Sequence, residues 1–245
     1  MHSNVNELSS WMNTYLKVSD FSEDASMNGL QVHSSDEVNK VALAVDAGLD
    51  IFQRAKKYEC DMVIAHHGMY WKGIEPLIVG PTTDRVRFLL DNKISLYASH
   101  LPLDAHSNVG NNVEIIRALG FRPKKLFDKV SWICHPKKSL EELIVKVNEK
   151  IGTSIHELKF GDEFVNDLVV SSGGGTASVF TAPEGSTVLL GELSHYGYHY
   201  AQERHLNVIA AGHYATEKFG VIALGKLLEK KFKKSTVFID VPTNI

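Results

Sequence analysis

The chain has 245 residues, of which 44% are hydrophobic and 22% are charged, which is enough for one large core or two modest ones. A formal net charge of -3 argues against a broad electrostatic surface for nucleic acid. No apolar run approaches the ~20 residues of a membrane span, and no signal peptide is visible, so we expect a cytoplasmic protein without a membrane partner. The two cysteines, Cys60 and Cys134, form neither a disulfide framework nor a thiolate zinc pair.

The first half of the chain alternates between helical and strand patterns. Apolar residues recur at helical spacing from Leu8 to Leu16, and the apolar run 41–45, which ends at Asp46, predicts a buried strand. The further elements in this half are predicted as helix 48–58, strand 62–65, helix 86–91, strand 94–98 and helix 113–119. This alternation is typical of a three-layer α/β unit with a largely parallel sheet.

A second α/β unit follows residues 121–138, which contain two prolines and many lysines and which we interpret as a linker. Its predicted elements are helices 140–151 and 213–231 and strands 168–170, 187–190, 208–210 and 236–241. We expect the basic stretch 230–234 to face solvent at the end of the last helix, where cations complement the helix dipole. The sequence therefore predicts two α/β domains with mixed, largely parallel sheets, spanning 1–127 and 128–245.

A glycine turn follows the strand at 168–170. Gly173–Gly175 can bind phosphate through backbone N–H groups, but the segment has neither the Walker lysine nor the spacing of the dinucleotide fingerprint. We favour a tight turn that lines a crevice over a nucleotide-binding loop.

Two adjacent histidines, His66 and His67, lie at the end of the strand predicted at 62–65. Neighbouring residues in mid-strand point to opposite faces, but both rings can approach one target where the strand breaks, and Gly68 tolerates the positive φ of such a break. Two imidazoles at a strand exit are a possible start of a metal site, although an isolated pair is more often a solvated loop pair.

Two further segments supply possible ligands. Asp104 follows the strand at 94–98, and the dipeptide Leu101-Pro102 favours an extended backbone that presents the carboxylate at the same sheet edge. His213 and Glu217 are four residues apart at the start of a helix, so they share one face, although a surface His–Glu pair has the same spacing.

These three imidazoles and two carboxylates are too many ligands for one zinc ion with an open position and too few to saturate two metals. We infer a dinuclear centre, with zinc, manganese, iron, cobalt or nickel all suited to the mixed nitrogen and oxygen donors. Two divalent cations outweigh the two carboxylates, so the site favours anions such as phosphate. His100 and Glu192 are the candidate acid/base residues, and either can instead orient a ligand.

The sequence resembles the GTP cyclohydrolase 1 type 2 family, also called the NIF-three-like family. The matching stretches are spread from residue 27 to residue 217, in family order, so the likeness spans nearly the whole chain: Met27–Val32, Ala65–Gly68, His100–His106, Gly110–Asn112, Gly191–Glu192 with Ser194–His195, and Ala211–Glu217. The resemblance implies two α/β domains with a dinuclear metal centre in the cleft, the ligand set His66, His67, Asp104, His213 and Glu217, and a homohexamer that is a trimer of dimers.

The expected function is hydrolysis of a nucleotide or another phosphate-bearing small molecule by a metal-dependent enzyme. The most specific form, which the resemblance implies, is a GTP cyclohydrolase that opens the guanine ring and releases formate. The alternative is a metal-containing, ring-shaped scaffold or nucleic-acid-associated protein without turnover, although the acidic balance counts against a nucleic acid.

Overall fold

The computed structural model describes residues 4–74, 77–152 and 155–243. Helices and strands alternate along these residues, so the predicted α/β class is confirmed. The strands are β1 (Gly29–Val32), β2 (Lys40–Asp46), β3 (Met62–His67), β4 (Ser95–Ala98), β5 (Lys125–Leu126), β6 (Trp132–Cys134), β7 (Lys138–Ser139), β8 (His156–Lys159), β9 (Phe164–Val165), β10 (Leu168–Ser171), β11 (Thr187–Leu190), β12 (Asn207–Ala210) and β13 (Ser235–Phe238). The α-helices are α1 (Val5–Tyr15), α2 (Leu49–Lys57), α3 (Pro81–Asp91), α4 (Leu101–Ala105), α5 (Asn111–Ala118), α6 (Leu140–Ile151), α7 (Ala177–Thr181), α8 (Gly197–Glu203) and α9 (His213–Phe232).

The chain forms two compact units, which we call the first unit (Met1–Leu103 and Val221–Val241) and the second unit (Asp104–Gly220 and Pro242–Ile245). The first unit includes the C-terminal part of α9 and β13, because β13 pairs in parallel with β2. These units begin and end at other residues than the halves predicted from the sequence, and those halves stay a prediction.

The first unit is built on a five-stranded sheet with the order β1-β4-β3-β2-β13. The last four strands are parallel, whereas β1 runs antiparallel to β4. Strand β2 is buried from Val41 to Val45 and β3 from Met62 to His66, as expected for parallel strands that are covered on both faces. The carboxyl end of β3 carries the histidine pair.

The second unit contains a six-stranded sheet with the order β5-β6-β10-β11-β12-β8. Its central strands β10, β11 and β12 are parallel, and the flanking strands are antiparallel. A separate two-stranded sheet pairs β7 with β9. Apolar residues of α6 pack against the six-stranded sheet and include Leu143 and Val147, both fully buried.

Three local predictions are wrong. The linker predicted at 121–138 contains β5 and β6, because residues 132–134 pair with β10 as part of the sheet. Leu101-Pro102 begins the short helix α4 instead of an extended segment, since proline is tolerated in the first turn of a helix. Lys234, predicted to face solvent, is only 6% exposed, and its ammonium group donates to the carbonyl oxygen of Val38.

Within the described residues, no helix is long and apolar enough to cross a membrane.

Candidate metal centre

The histidine pair lies at the end of β3, beside the end of β2. Strand pairing aligns Asp46 with His67, so the Asp46 carboxylate lies next to the His67 ring, and Oδ1 is 2.9 Å from Nδ1. A carboxylate accepts the ring N–H, which fixes the proton on Nδ1 and leaves the lone pair on Nε2. The register of two parallel strands therefore orients one candidate ligand.

His66 is fully buried, and its Nδ1 lies 3.0 Å from the carbonyl oxygen of Ser99. A carbonyl oxygen only accepts, so Nδ1 carries the proton and Nε2 carries the lone pair. The same tautomer therefore follows for both neighbouring histidines. In metal sites, an acceptor on the far side of the ring holds a ligating histidine in this way.

His100 follows β4 and is held by a buried aspartate that the sequence analysis did not select. Its Nδ1 lies 2.8 Å from Oδ1 of Asp24, and Asp24 also accepts hydrogen bonds from Asn28 and from the backbone N–H of Ser26 and Leu101. Burial raises the pKa of Asp24, but the hydrogen bonds from His100, Asn28 and Ser26 and the charge of His100 outweigh it and lower that pKa to about 2.

One ligand atom from each of His66, His67 and His100 lies within 4.8 Å of the other two. Their ring centroids are 4.8 to 5.6 Å apart, and the indole of Trp71 packs edge-on against His100 at 5.1 Å. Three imidazoles that are each oriented by an acceptor and gathered this closely are a suitable donor set for a transition metal.

β3 ends directly before Gly68, where the break was predicted, but the strand extends past residue 65 to include both histidines. Gly68 does not adopt the positive φ that was expected of it. A Cβ on Gly68 would lie 2.2 Å from Nε2 of Gln31, so any other residue here would require the Gln31 side chain to move. The Gln31 side chain in turn accepts the backbone N–H of Met69.

In the second unit, α9 begins at His213, directly after Gly212, which has a φ of +91°. His213 Nε2 lies 3.1 Å from Oε2 of Glu217, and His213 Nδ1 lies 3.1 Å from Oε1 of Glu192. The spacing of four residues places both α9 side chains on one face, as predicted. Glu192 therefore orients His213 in the structure, and the Glu217 side chain is 3% exposed.

The glycine turn lies against these side chains. Gly173 has a φ of +62°, and its carbonyl oxygen accepts the backbone N–H of Gly175, Gly191 and Glu192. A Cβ at Gly173 would lie 2.0 Å from Oε1 of Glu217 and 3.1 Å from Nε2 of His213. The turn is a tight one, and the space of the missing side chain is what accommodates the Glu217 carboxylate.

Asp104 begins the second unit and is 5% exposed. Its Oδ1 accepts hydrogen bonds from Nδ2 of Asn111 and from the hydroxyl of Ser172, each 2.8 Å long. The two donors hold this oxygen of the Asp104 carboxylate within the second unit.

The structure thus brings together His66, His67 and His100 in the first unit and His213, Glu217 and Glu192 in the second. The orienting partners Asp24 and Ser172 were missed, because no motif or spacing marks a residue that contacts a ligand only in the folded chain. Asn111 lies in the family-like stretch Gly110–Asn112, but the sequence gives that stretch no role. One feature of the sequence could have indicated Asp46: it ends a predicted buried strand, as the histidine pair ends the next strand along the chain. A common site for all five predicted ligands stays a prediction.

Oriented histidine nitrogens and buried carboxylates on an α/β scaffold define the class as α/β proteins with the donor groups of a transition-metal site. The chain belongs to the Duf34/NIF3 (NGG1p interacting factor 3) family, whose model matches residues 3–245.

Its relatives match it over nearly their full length. A GTP cyclohydrolase 1 type 2 homolog from Archaeoglobus fulgidus is 39% identical, and the match covers 99% of this chain and 100% of the relative. A protein of the same name from Pyrococcus horikoshii is 40% identical over 98% of each chain. The crystal structure of TTHA1606 from Thermus thermophilus is similar with a TM-score of 0.91 and 38% identity, covering 99% of this chain and 100% of that one.

Proposed function

We propose that this protein is a dinuclear-metal-dependent hydrolase that acts on a nucleotide or another phosphate-bearing small molecule. The observation that carries the proposal is the shared orientation of His66 and His67. Each ring has Nδ1 on a carbonyl or carboxylate oxygen, which leaves the lone pair on Nε2, the arrangement of histidines that ligate metals.

The proposed ligands are His66, His67, Asp104, His213 and Glu217. The donor chemistry fits such a role, because four of these residues are held by a hydrogen-bonding neighbour and the Gly173 turn leaves space for the Glu217 carboxylate. When bound, two divalent cations supply Lewis acidity and positive charge; zinc, manganese, iron, cobalt and nickel all suit these donors.

The substrate class follows from charge. Two divalent cations bring four positive charges, and the carboxylates of Asp104 and Glu217 return two negative ones. The resulting positive site favours anionic groups, above all phosphate. A nucleoside triphosphate such as GTP meets this requirement, and the names of the Archaeoglobus and Pyrococcus relatives make GTP the first nucleotide to test.

His100 and Glu192 are proposed to move protons. The bond from His100 Nδ1 to Asp24 leaves Nε2 of His100 able to accept a proton, and Asp24 stabilises the charged ring that results. The Glu192 side chain is 48% exposed, so its carboxylate can exchange protons with solvent while Oε1 accepts from His213. Glu192 can therefore serve both as a proton carrier and as the group that orients His213.

The decisive experiment incubates the metal-loaded protein with GTP, other nucleotides and phosphodiesters and measures formate and phosphate. Formate from GTP identifies the cyclohydrolase, and phosphate from another compound identifies a different hydrolase of the proposed class. His100→Gln and Glu192→Gln should each lower turnover by about 100-fold or more with metal content unchanged. Inactivity over the whole panel with metal present contradicts the hydrolase and favours the scaffold.

The oligomer is proposed to be a homohexamer, a trimer of dimers, as the family resemblance implies. Light scattering of the purified chain tests this state, and a monomer at micromolar concentration contradicts it. Retention on DNA that falls steeply with salt is the result that favours a nucleic-acid partner.

A further inference from the structure

A buried hydrogen-bond network in the second unit joins Asp104 to the helix that carries His213 and Glu217. Asn111 is fully buried and lies at the centre of this network. Its Nδ2 is 2.8 Å from Oδ1 of Asp104, and its Oδ1 is 2.6 Å from the backbone nitrogen of Gly220, three residues after Glu217 on α9. One side chain thus contacts both a candidate ligand and the helix that carries two others.

The orientation of the Asn111 amide follows from chemistry. The N–H of Gly220 can only donate, so the atom that it contacts is the amide oxygen, and the amide nitrogen therefore faces Asp104. A bond from an amide N–H to a carboxylate is charge-assisted and stronger than a neutral one. The hydroxyl of Ser172 adds a second donor to the same Asp104 oxygen.

We propose that Asn111, together with Ser172, is a positioning residue that sets the Asp104 carboxylate relative to α9 before a cation binds. The inference rests on the proposed metal function and deepens it. Metal ligands must be held to within a few tenths of an ångström, so a group that fixes a carboxylate relative to a ligand-bearing helix raises affinity without touching the cation.

Asn207, at the start of β12, provides a matched control. It is 1% exposed and also makes two hydrogen bonds, from Nδ2 to the carbonyl oxygen of Asp162 and from the backbone N–H of Gly161 to Oδ1. None of these partners contacts Asp104 or Ser172 through a hydrogen bond described for the network. A purely structural role for buried asparagines of the second unit predicts the same outcome for both positions.

The experiment compares the full-length wild type with Asn111→Ala and Asn207→Ala. Zn²⁺ affinity is measured by competition with a chromophoric chelator, and stability is measured by urea unfolding in EDTA. Both variants should unfold at lower urea concentration, because each leaves buried polar groups without their partner. Only Asn111→Ala should bind Zn²⁺ about 10- to 100-fold more weakly, as is typical when a group that orients a metal ligand is removed.

Equal losses of Zn²⁺ affinity in the two variants, or unchanged affinity in Asn111→Ala, overturn the positioning role while the metal function stands. A wild type that binds no Zn²⁺ overturns the metal function and the positioning role with it. If Asn111→Ala does not fold, Ser172→Ala removes the other donor at a partly exposed position. That variant should also bind Zn²⁺ more weakly, and wild-type affinity there contradicts the proposal.

Discussion

The two units orient their candidate ligands by different means. In the first unit, three histidines are held by fixed acceptors, and one of these contacts follows directly from the pairing of β2 with β3. In the second unit, a helix start, a glycine turn and a buried asparagine hold one histidine and two carboxylates. The comparison indicates that oxygen acceptors suffice to orient the histidine nitrogens, whereas the buried carboxylates need hydrogen-bond donors or the free space beside a glycine.

We expect the largest loss of metal affinity when one proposed ligand is removed from either unit. His66→Ala and Glu217→Ala should each lower the affinity for divalent metal by more than the 10- to 100-fold typical for the loss of an orienting group, because a direct donor is lost. Metal content is measured by mass spectrometry after purification and dialysis. Normal metal content in both variants contradicts the ligand assignment, and loss in only one variant restricts the site to that unit.

Gly173→Ala tests whether the space beside this glycine accommodates the Glu217 carboxylate in the second unit. The new Cβ would collide with the Glu217 carboxylate, and the positive φ adds a backbone cost of about 1 kcal/mol or more. We expect lower stability together with Zn²⁺ affinity that is weakened about 10-fold or more. Gly185→Ala is the control, since Gly185 also has a positive φ, +75°, but nothing lies within 4 Å of its Cβ position. If Gly185→Ala weakens Zn²⁺ binding equally, the space beside Gly173 is not what holds the Glu217 carboxylate in place for the metal.

Asp24→Asn tests the carboxylate that holds His100 in the first unit. The pKa of Asp24 is lowered from 3.8 to about 2 on folding, so its ionised form adds stability that is fully present above pH 4. This contribution, about 2 kcal/mol, is lost as the pH falls from 4 to 2. The stability gap between wild type and Asp24→Asn should therefore narrow over that range in urea unfolding with EDTA.

The exposed pair His33–Asp36 is the control for that experiment, because its side chains are 46% and 75% exposed and solvent screens their interaction. Asp36→Asn should differ from the wild type by about 0–1 kcal/mol at every pH. A gap between wild type and Asp24→Asn that stays constant from pH 6 to pH 2 is the outcome that excludes the stabilising ion pair.

We expect the smallest effect on metal binding from replacing the two cysteines, of which each unit contains one. Burial raises the pKa of Cys60 to about 11 and that of Cys134 to about 12, so neither is a thiolate at neutral pH. Cys60→Ala and Cys134→Ala should therefore leave metal content unchanged, and Ellman's reagent at pH 8 should react only after urea is added. A lower metal content in either variant contradicts this expectation and indicates that the thiol is itself a metal ligand.

Elements with local signals could be predicted from the sequence alone. The bounds of α6 match the helix predicted from its apolar face at 140–151. In the structure, Ser139 and Glu142 form a capping box at its start, and Gly152 ends it in the left-handed region. The proximity of His213 and Glu217 is also a local property, since a helix places residues four apart on one face. The histidine pair could also be predicted from a local feature, because two adjacent histidines follow a short apolar run.

The side chains that hold the candidate ligands are known only from the folded chain. Asp24 reaches His100 across 76 positions of sequence, and Asn111 reaches Gly220 across 109. Residues 121–138 have the composition of a linker, yet Trp132–Cys134 extend a sheet because β10 offers backbone partners. Hydrogen bonds between distant segments leave no period or spacing in the sequence, since they depend on how whole strands and helices pack.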